Sequence, residues 1–155
     1  MMPVWRGILA LLLAVGAQVL LSRYLPSAGR MVDFYTVLVL YYAVSRRRAA
    51  VMFMGTTAGL VEDLLTHTVL GMNAFKKTLV GYVMGALGSF FMLSQPLPRF
   101  GILFLATVLE ALTEASLVLV LGQHLVLPPA GDLIRLGMGN GLAGILIYWM
   151  ISKLE

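Results

Sequence analysis

Apolar runs separated by short polar or Pro/Gly-marked turns fill the chain from one end to the other. A helix that crosses a bilayer needs about 20 mainly apolar residues. Read on that scale, the pattern gives six spans: Val4–Tyr24, Met31–Ser45, Ala49–Thr66, Asn73–Ser94, Phe100–Gln123 and Asp132–Ile151. The turns are set by Leu25-Pro26-Ser27-Ala28-Gly29, Gln95-Pro96-Leu97-Pro98 and Leu127-Pro128-Pro129-Ala130-Gly131, where Pro and Gly punctuate the apolar pattern. The second span is short and holds Asp33 near its start, where a carboxylate suits the positive end of the helix dipole. The expectation is an all-α integral membrane protein, a six-helix transmembrane bundle forming one domain over residues 1–155, with both termini on the same side.

Composition strengthens that reading. The chain is 60% hydrophobic and 12% charged, well outside the balance of a soluble globular domain. It has no cysteine, so a disulfide framework and a thiolate metal site are both excluded. The formal charge of +4 comes from eleven Lys/Arg against seven Asp/Glu. These bases mostly flank apolar runs and form no long basic face, so they read as topology signals rather than a nucleic-acid surface. Arg6 before an apolar run resembles the start of a signal peptide, but no A-x-A-like site follows Leu21, and a retained helix is expected.

Arg6, Arg46, Arg47, Arg48, Arg99 and Lys153 fall on the side of the termini, while Arg23, Arg30, Lys76, Lys77 and Arg135 fall opposite. Lys76, Lys77 and Arg135 lie inside spans beside acids at similar depth, so they do not count as free loop charges. The remaining bias puts the termini in the cytoplasm. Arg46, Arg47 and Arg48 form a cytoplasmic anchor within reach of anionic lipid head groups.

Small residues recur at helix-packing spacing: Gly55 and Gly59 in the third span, Gly81, Gly85 and Gly88 in the fourth, Gly137, Gly141 and Gly144 in the sixth. Close approach through small faces is a main source of helix attraction in lipid, so a tight bundle built on these three spans is expected.

The charges inside the spans carry more information, because they are costly at membrane depth unless they meet a partner. Glu62 and Asp63 lie about one turn from the end of the third span. Lys76 and Lys77 lie about one turn into the antiparallel fourth, which puts the four at similar depth and predicts mutual neutralisation. Glu110 and Glu114 are four apart and share a face of the fifth span, with Thr107 extending it. Arg135 enters the sixth span from the same end. At 1.5 Å per residue, Glu114 lies roughly 15 Å below that end and Glu110 deeper still.

Three readings of this polar set stay open: an internal ion-pair network fixing helix register, a surface for a partner's transmembrane helix, or a proton, ion or substrate path. His67 and His124 lie near helix ends and read as interfacial residues. No Ser/His/Asp arrangement, phosphate loop, metal motif or cofactor motif occurs, so an enzyme is not expected.

One stretch is more specific. Gly59-Leu60-Val61-Glu62-Asp63-Leu64-Leu65, then Leu70-Gly71-Met72-Asn73-Ala74-Phe75, then Lys77-Thr78-Leu79-Val80-Gly81-Tyr82 resembles the central signature of MreD, the rod shape-determining membrane proteins of bacteria. Gly71 and Asn73 are its turn positions. The specific match spans about 25 residues of the sequence; elsewhere the likeness is one of hydropathy. The resemblance implies a non-enzymatic scaffold in the bacterial inner membrane, within the elongation machinery for peptidoglycan. It implies binding to the single-span protein MreC and, through it, to the glycosyltransferase–transpeptidase pair and MreB, with a homodimer possible within the complex. It also implies a bundle similar to the substrate-binding (S) subunits of energy-coupling-factor vitamin transporters, and a transporter subunit is the alternative function. A scaffold is expected to co-purify with a single-span partner. A binding subunit is expected to retain a small molecule in a pocket on the outer side.

Overall fold

A computed structural model describes residues 4–45, 48–87, 95–122 and 129–153. Among them the chain is helical throughout: α1 Val4–Tyr24, α2 Pro26–Gly29, α3 Phe34–Ser45, α4 Arg48–Thr66, α5 Met72–Leu87, α6 Pro96–Val120 and α7 Ala130–Ser152. Four of these helices, α1, α4, α6 and α7, are long and apolar enough to cross a membrane.

The expected second span is the main departure. Its helical part, α3, has 12 residues, or about 18 Å at 1.5 Å per residue, well short of a bilayer core of about 30 Å. It is apolar all round, the pattern of a buried core helix, and it touches α1, α4, α5, α6 and α7. Tyr35 to Leu40 are all buried. The first turn is set by Asp33, whose Oδ1 accepts from the backbone N–H groups of Tyr35 (2.9 Å) and Thr36 (3.2 Å). Asp33 is therefore the N-cap of the central helix, satisfying donors that have no partner within the helix. The fourth span is also shorter where it is described: α5 runs 16 residues, and the expected continuation through residues 88–94, with Gly88, lies outside the described residues.

Two glycine faces hold the helices together, in a different arrangement from the one expected. Gly55 and Gly59 press α4 directly on the α5 backbone: a Cβ on Gly55 would collide with the Lys77 carbonyl, and one on Gly59 with Asn73 and Ala74. Gly81 adds a looser contact with Val51, and Gly85 lies half-buried on α5. The α7 glycines do not join this pair. Gly137 and Gly141 receive the rings of Phe104 and Phe100 from α6, and Gly144 receives Leu103. The third and fourth spans therefore make one close pair, and the sixth packs on the fifth and on α3, because its small residues are matched by large side chains rather than by another small face. Replacing Gly59 with leucine is expected to destabilise the α4–α5 pair by at least about 1–3 kcal/mol, the usual cost of overpacking. A thermal melt of the purified variant matching the unaltered protein would contradict this.

The last turns of α1, α4 and α6 and the first turns of α3, α5 and α7 converge around one cavity of about 730 Å³. The chain termini lie at the other end, where Arg6 stacks on Trp5 and Lys153 on Trp149. Large apolar side chains on α1, among them Trp5, Ile8, Leu12 and Leu13, are exposed, as suits a surface turned to lipid.

Candidate functional site

The cavity floor is organised by Lys77. Its side chain is 1% exposed, and α5 carries it inward from the turn that follows α4. The ammonium donates to Asp33 Oδ2 at 2.5 Å, Thr36 Oγ1 at 2.9 Å and Glu110 Oε1 at 3.4 Å, which accounts for its three N–H bonds. Glu62 Oε2 lies 3.0 Å from the same nitrogen, yet this buried oxygen receives no hydrogen bond. The contact there is an ion pair with the Lys77 ammonium. Three carboxylates from α4, α6 and the start of α3 thus share one ammonium.

Thr36 Oγ1 sits 2.7 Å from both Asp33 Oδ2 and Glu110 Oε1. A hydroxyl has one proton, so it serves one of these acceptors at a time. Asn140 closes the group from α7: its Oδ1 accepts from the Asp33 backbone N–H at 2.6 Å, and its Nδ2 donates to Thr107 Oγ1 at 3.0 Å. Asn140 is fully buried, and through it α3, α6 and α7 meet at one polar point.

The other expected site residues separate into three places. Lys76 points away from Lys77 and pairs with Glu114 on α6 at 2.8 Å; the Glu114 side chain is half exposed. Arg135 makes an exposed pair with Asp132 on its own helix, 3.2 Å apart, at the cavity rim. Asp63 meets neither lysine. Its carboxylate accepts from the backbone N–H groups of Gly71 (2.8 Å), Asn73 (3.0 Å) and Ala74 (3.4 Å) and from Thr68 Oγ1 (2.9 Å). The pairing of Asp63 with Lys76 or Lys77 expected from depth is therefore corrected: the carboxylate at the end of α4 is spent on the open N-terminus of α5, whose first N–H groups lack partners within the helix. Gly71 makes this turn with φ +96, a left-handed conformation that glycine adopts at no steric cost, and the Asn73 amide ties back to Thr68 Oγ1 at 3.2 Å. His67 has φ 54 just beyond the end of α4, where a left-handed residue commonly terminates a helix.

Of the cytoplasmic anchor, Arg46 and Arg47 lie outside the described residues and Arg48 opens α4; His124 is also outside. Arg99 is not the loop charge the topology count made it. It is buried and stacks on Tyr148, 3.3 Å from the ring centre. Sequence reading passed over Thr36 and Asn140 and gave Asp33 a dipole role only. Asn140 had a visible signal, as a lone amide inside an apolar span.

The model of the family described as rod shape-determining protein MreD matches residues 3–131. The chain belongs to the MreD family. The matched segment holds Asp33, the whole α4–α5 elbow, Lys77, Glu110 and Glu114; Arg135 and Asn140 lie beyond it. No curated protein and no solved structure matches the chain. Membership in MreD makes this a rod shape-determining, multi-pass membrane protein, in accord with its four long apolar helices. The family is a structural one, not known as enzymatic. Among the described residues no group of three His, Asp or Glu could hold a metal ion.

Proposed function

We propose that this MreD-family protein is a non-enzymatic scaffold subunit of the cell-elongation complex. It binds the transmembrane helix of MreC and, through MreC, helps to control peptidoglycan synthesis by the glycosyltransferase–transpeptidase pair alongside MreB. The observation that carries this reading is the inward placement of the charges. Lys77 forms ion pairs with Asp33, Glu62 and Glu110 across four elements, and so fixes how the helices sit. A body held in one arrangement from inside can present constant apolar faces to a partner helix. In this reading the six helices other than the short α2 act together as the membrane bundle, with α3 as its enclosed core and an arrangement similar to the S subunits of vitamin transporters.

Isolation from native membranes with identification of accompanying chains tests the proposal. An MreC-type single-span protein is expected; a bound vitamin with an ATPase module and no such protein would overturn it.

The protein resides, in this reading, in the bacterial inner membrane with cytoplasmic termini. The Trp5/Arg6 and Trp149/Lys153 pairs support that placement, since aromatic and basic residues favour the interface and bases favour the cytoplasm. The absence of native cysteine makes the test clean. Cysteine introduced at Leu70 is expected to react with a membrane-impermeant maleimide in cells with an opened outer layer, and cysteine at Ala49 to react only after lysis. The reverse pattern would invert the topology.

A further inference from the structure

The scaffold role gives no use to the cavity or to the ion pairs that open into it. On α6 the exposed residues Leu105, Leu112, Ser116 and Leu119 share one side of a helix of 3.6 residues per turn, the side turned to lipid. Glu114 lies on the opposite side, yet its side chain is 51% exposed. What it faces is the cavity, which it lines together with Ala111 and Ala115. Its partner is the Lys76 ammonium, 2.8 Å away, and the exposed Asp132–Arg135 pair stands at the mouth. Charged groups at membrane depth are costly against hydrocarbon, and they face either protein or a water-filled space. Ala111 and Ala115 bring only a methyl group each to the wall beside the Lys76–Glu114 pair, so protein does not fill the space that Glu114 faces.

We propose that the cavity is a water-filled vestibule that admits small hydrophilic solutes from the helix ends down to the Lys76–Glu114 pair and beyond it to Ala111. Ala111 lies nine residues before Val120, the last residue of α6, roughly 13 Å along the helix against a hydrocarbon core of about 30 Å. Water held there reaches well into the membrane. A volume of about 730 Å³ is of the size that holds small ligands, roughly 300–1,000 Å³. The wall carries both signs, Lys76 and Arg135 beside Glu114 and Asp132. Such a wall suits a neutral polar or zwitterionic solute and rejects an acyl chain, which would strip the water from both pairs. The two sides of α6 therefore meet different solvents, lipid at Leu112 and Ser116 and water at Ala111 and Ala115. The vestibule lies inside the helix ends, apart from the outer faces a partner helix would use.

Thiol labelling of the full chain in membrane fragments open on both sides decides the matter, and the result does not depend on which way the protein is inserted. The chain has no cysteine of its own, so four single variants report cleanly: Ala111→Cys and Ala115→Cys on the cavity side, Leu112→Cys and Ser116→Cys on the lipid side. The probe is a permanently charged methanethiosulfonate, itself a small hydrophilic solute. It attacks only the thiolate, a form that needs water around it, so the two cavity-side variants are expected to react at least about tenfold faster than the two lipid-side ones. Residues 111 and 112 are neighbours, as are 115 and 116, so each pair compares two faces at one depth. Equal rates within the pairs, or faster reaction on the lipid side, overturns the proposal. No reaction at Ala111→Cys and Ala115→Cys also overturns it, since the cavity is then closed or filled by acyl chain. The pairs are independent, so if one variant fails to fold the other pair still decides.

Discussion

Replacing Lys77 with methionine is expected to leave little folded protein. The substitution keeps the length of the side chain but removes the only ammonium among Asp33, Glu62 and Glu110. Removing one partner of a buried ion pair typically costs about 3–5 kcal/mol, because the other charge stays buried and uncompensated. Here three carboxylates would be left, against a total stability of about 5–15 kcal/mol for an ordinary folded protein. The same change at Lys76 is the control. Its partner Glu114 is half exposed, so water takes over the lost contact and the cost is expected to stay within about 1 kcal/mol. Thermal melting and size-exclusion profiles of the two variants check this. Equal effects at the two adjacent lysines would show that Lys77 does not organise the core.

That contrast marks where the sequence could be read and where it could not. Apolar run lengths placed every long helix, since the need to cover about 30 Å of hydrocarbon acts on composition directly. The elbow between α4 and α5 was legible too, because acids, bases and a Gly-Met-Asn turn are rare in the middle of apolar segments. Depth along the helix, however, says nothing about rotation around it. Glu62 and Asp63 lie about 100° apart on a helix of 3.6 residues per turn, so only one of them can face the bundle centre. The same holds for Lys76 and Lys77, which end on Glu114 and on the buried acids. Asp33 was visible as a helix-start carboxylate, but its second oxygen meets Lys77 only because α3 is the central helix, and a 12-residue apolar run does not announce that. The sixth span's glycines were readable as a packing face, but not which helix they pack against, since that depended on Phe100 and Phe104 lying opposite.

Asp63 gives the second large effect, for a reason different from the one its neighbours suggest. Asp63→Leu leaves both lysine pairs intact and instead strips the α5 N-terminus of its acceptor. Three backbone N–H groups and the Thr68 hydroxyl lose their partner in a turn where Asn73 and Ala74 are buried. Loss of a helix cap costs about 1 kcal/mol and each buried donor left unmet about 1–3 kcal/mol. A fall of about 3 kcal/mol or more is therefore expected. Asp63→Asn keeps one acceptor oxygen in place and is expected to lose roughly half as much, through the weaker hydrogen bonds of an uncharged acceptor. Melting of the two variants orders them as Leu below Asn below the unaltered protein. The cap reading also requires that both lysines stay paired in both variants, so combining Asp63→Leu with the mild Lys76→Met is expected to be close to additive, as for sites with no shared partner. Strong coupling in that cycle, or an Asn variant as weak as the Leu one, would return Asp63 to the ion-pair network and remove it from the turn.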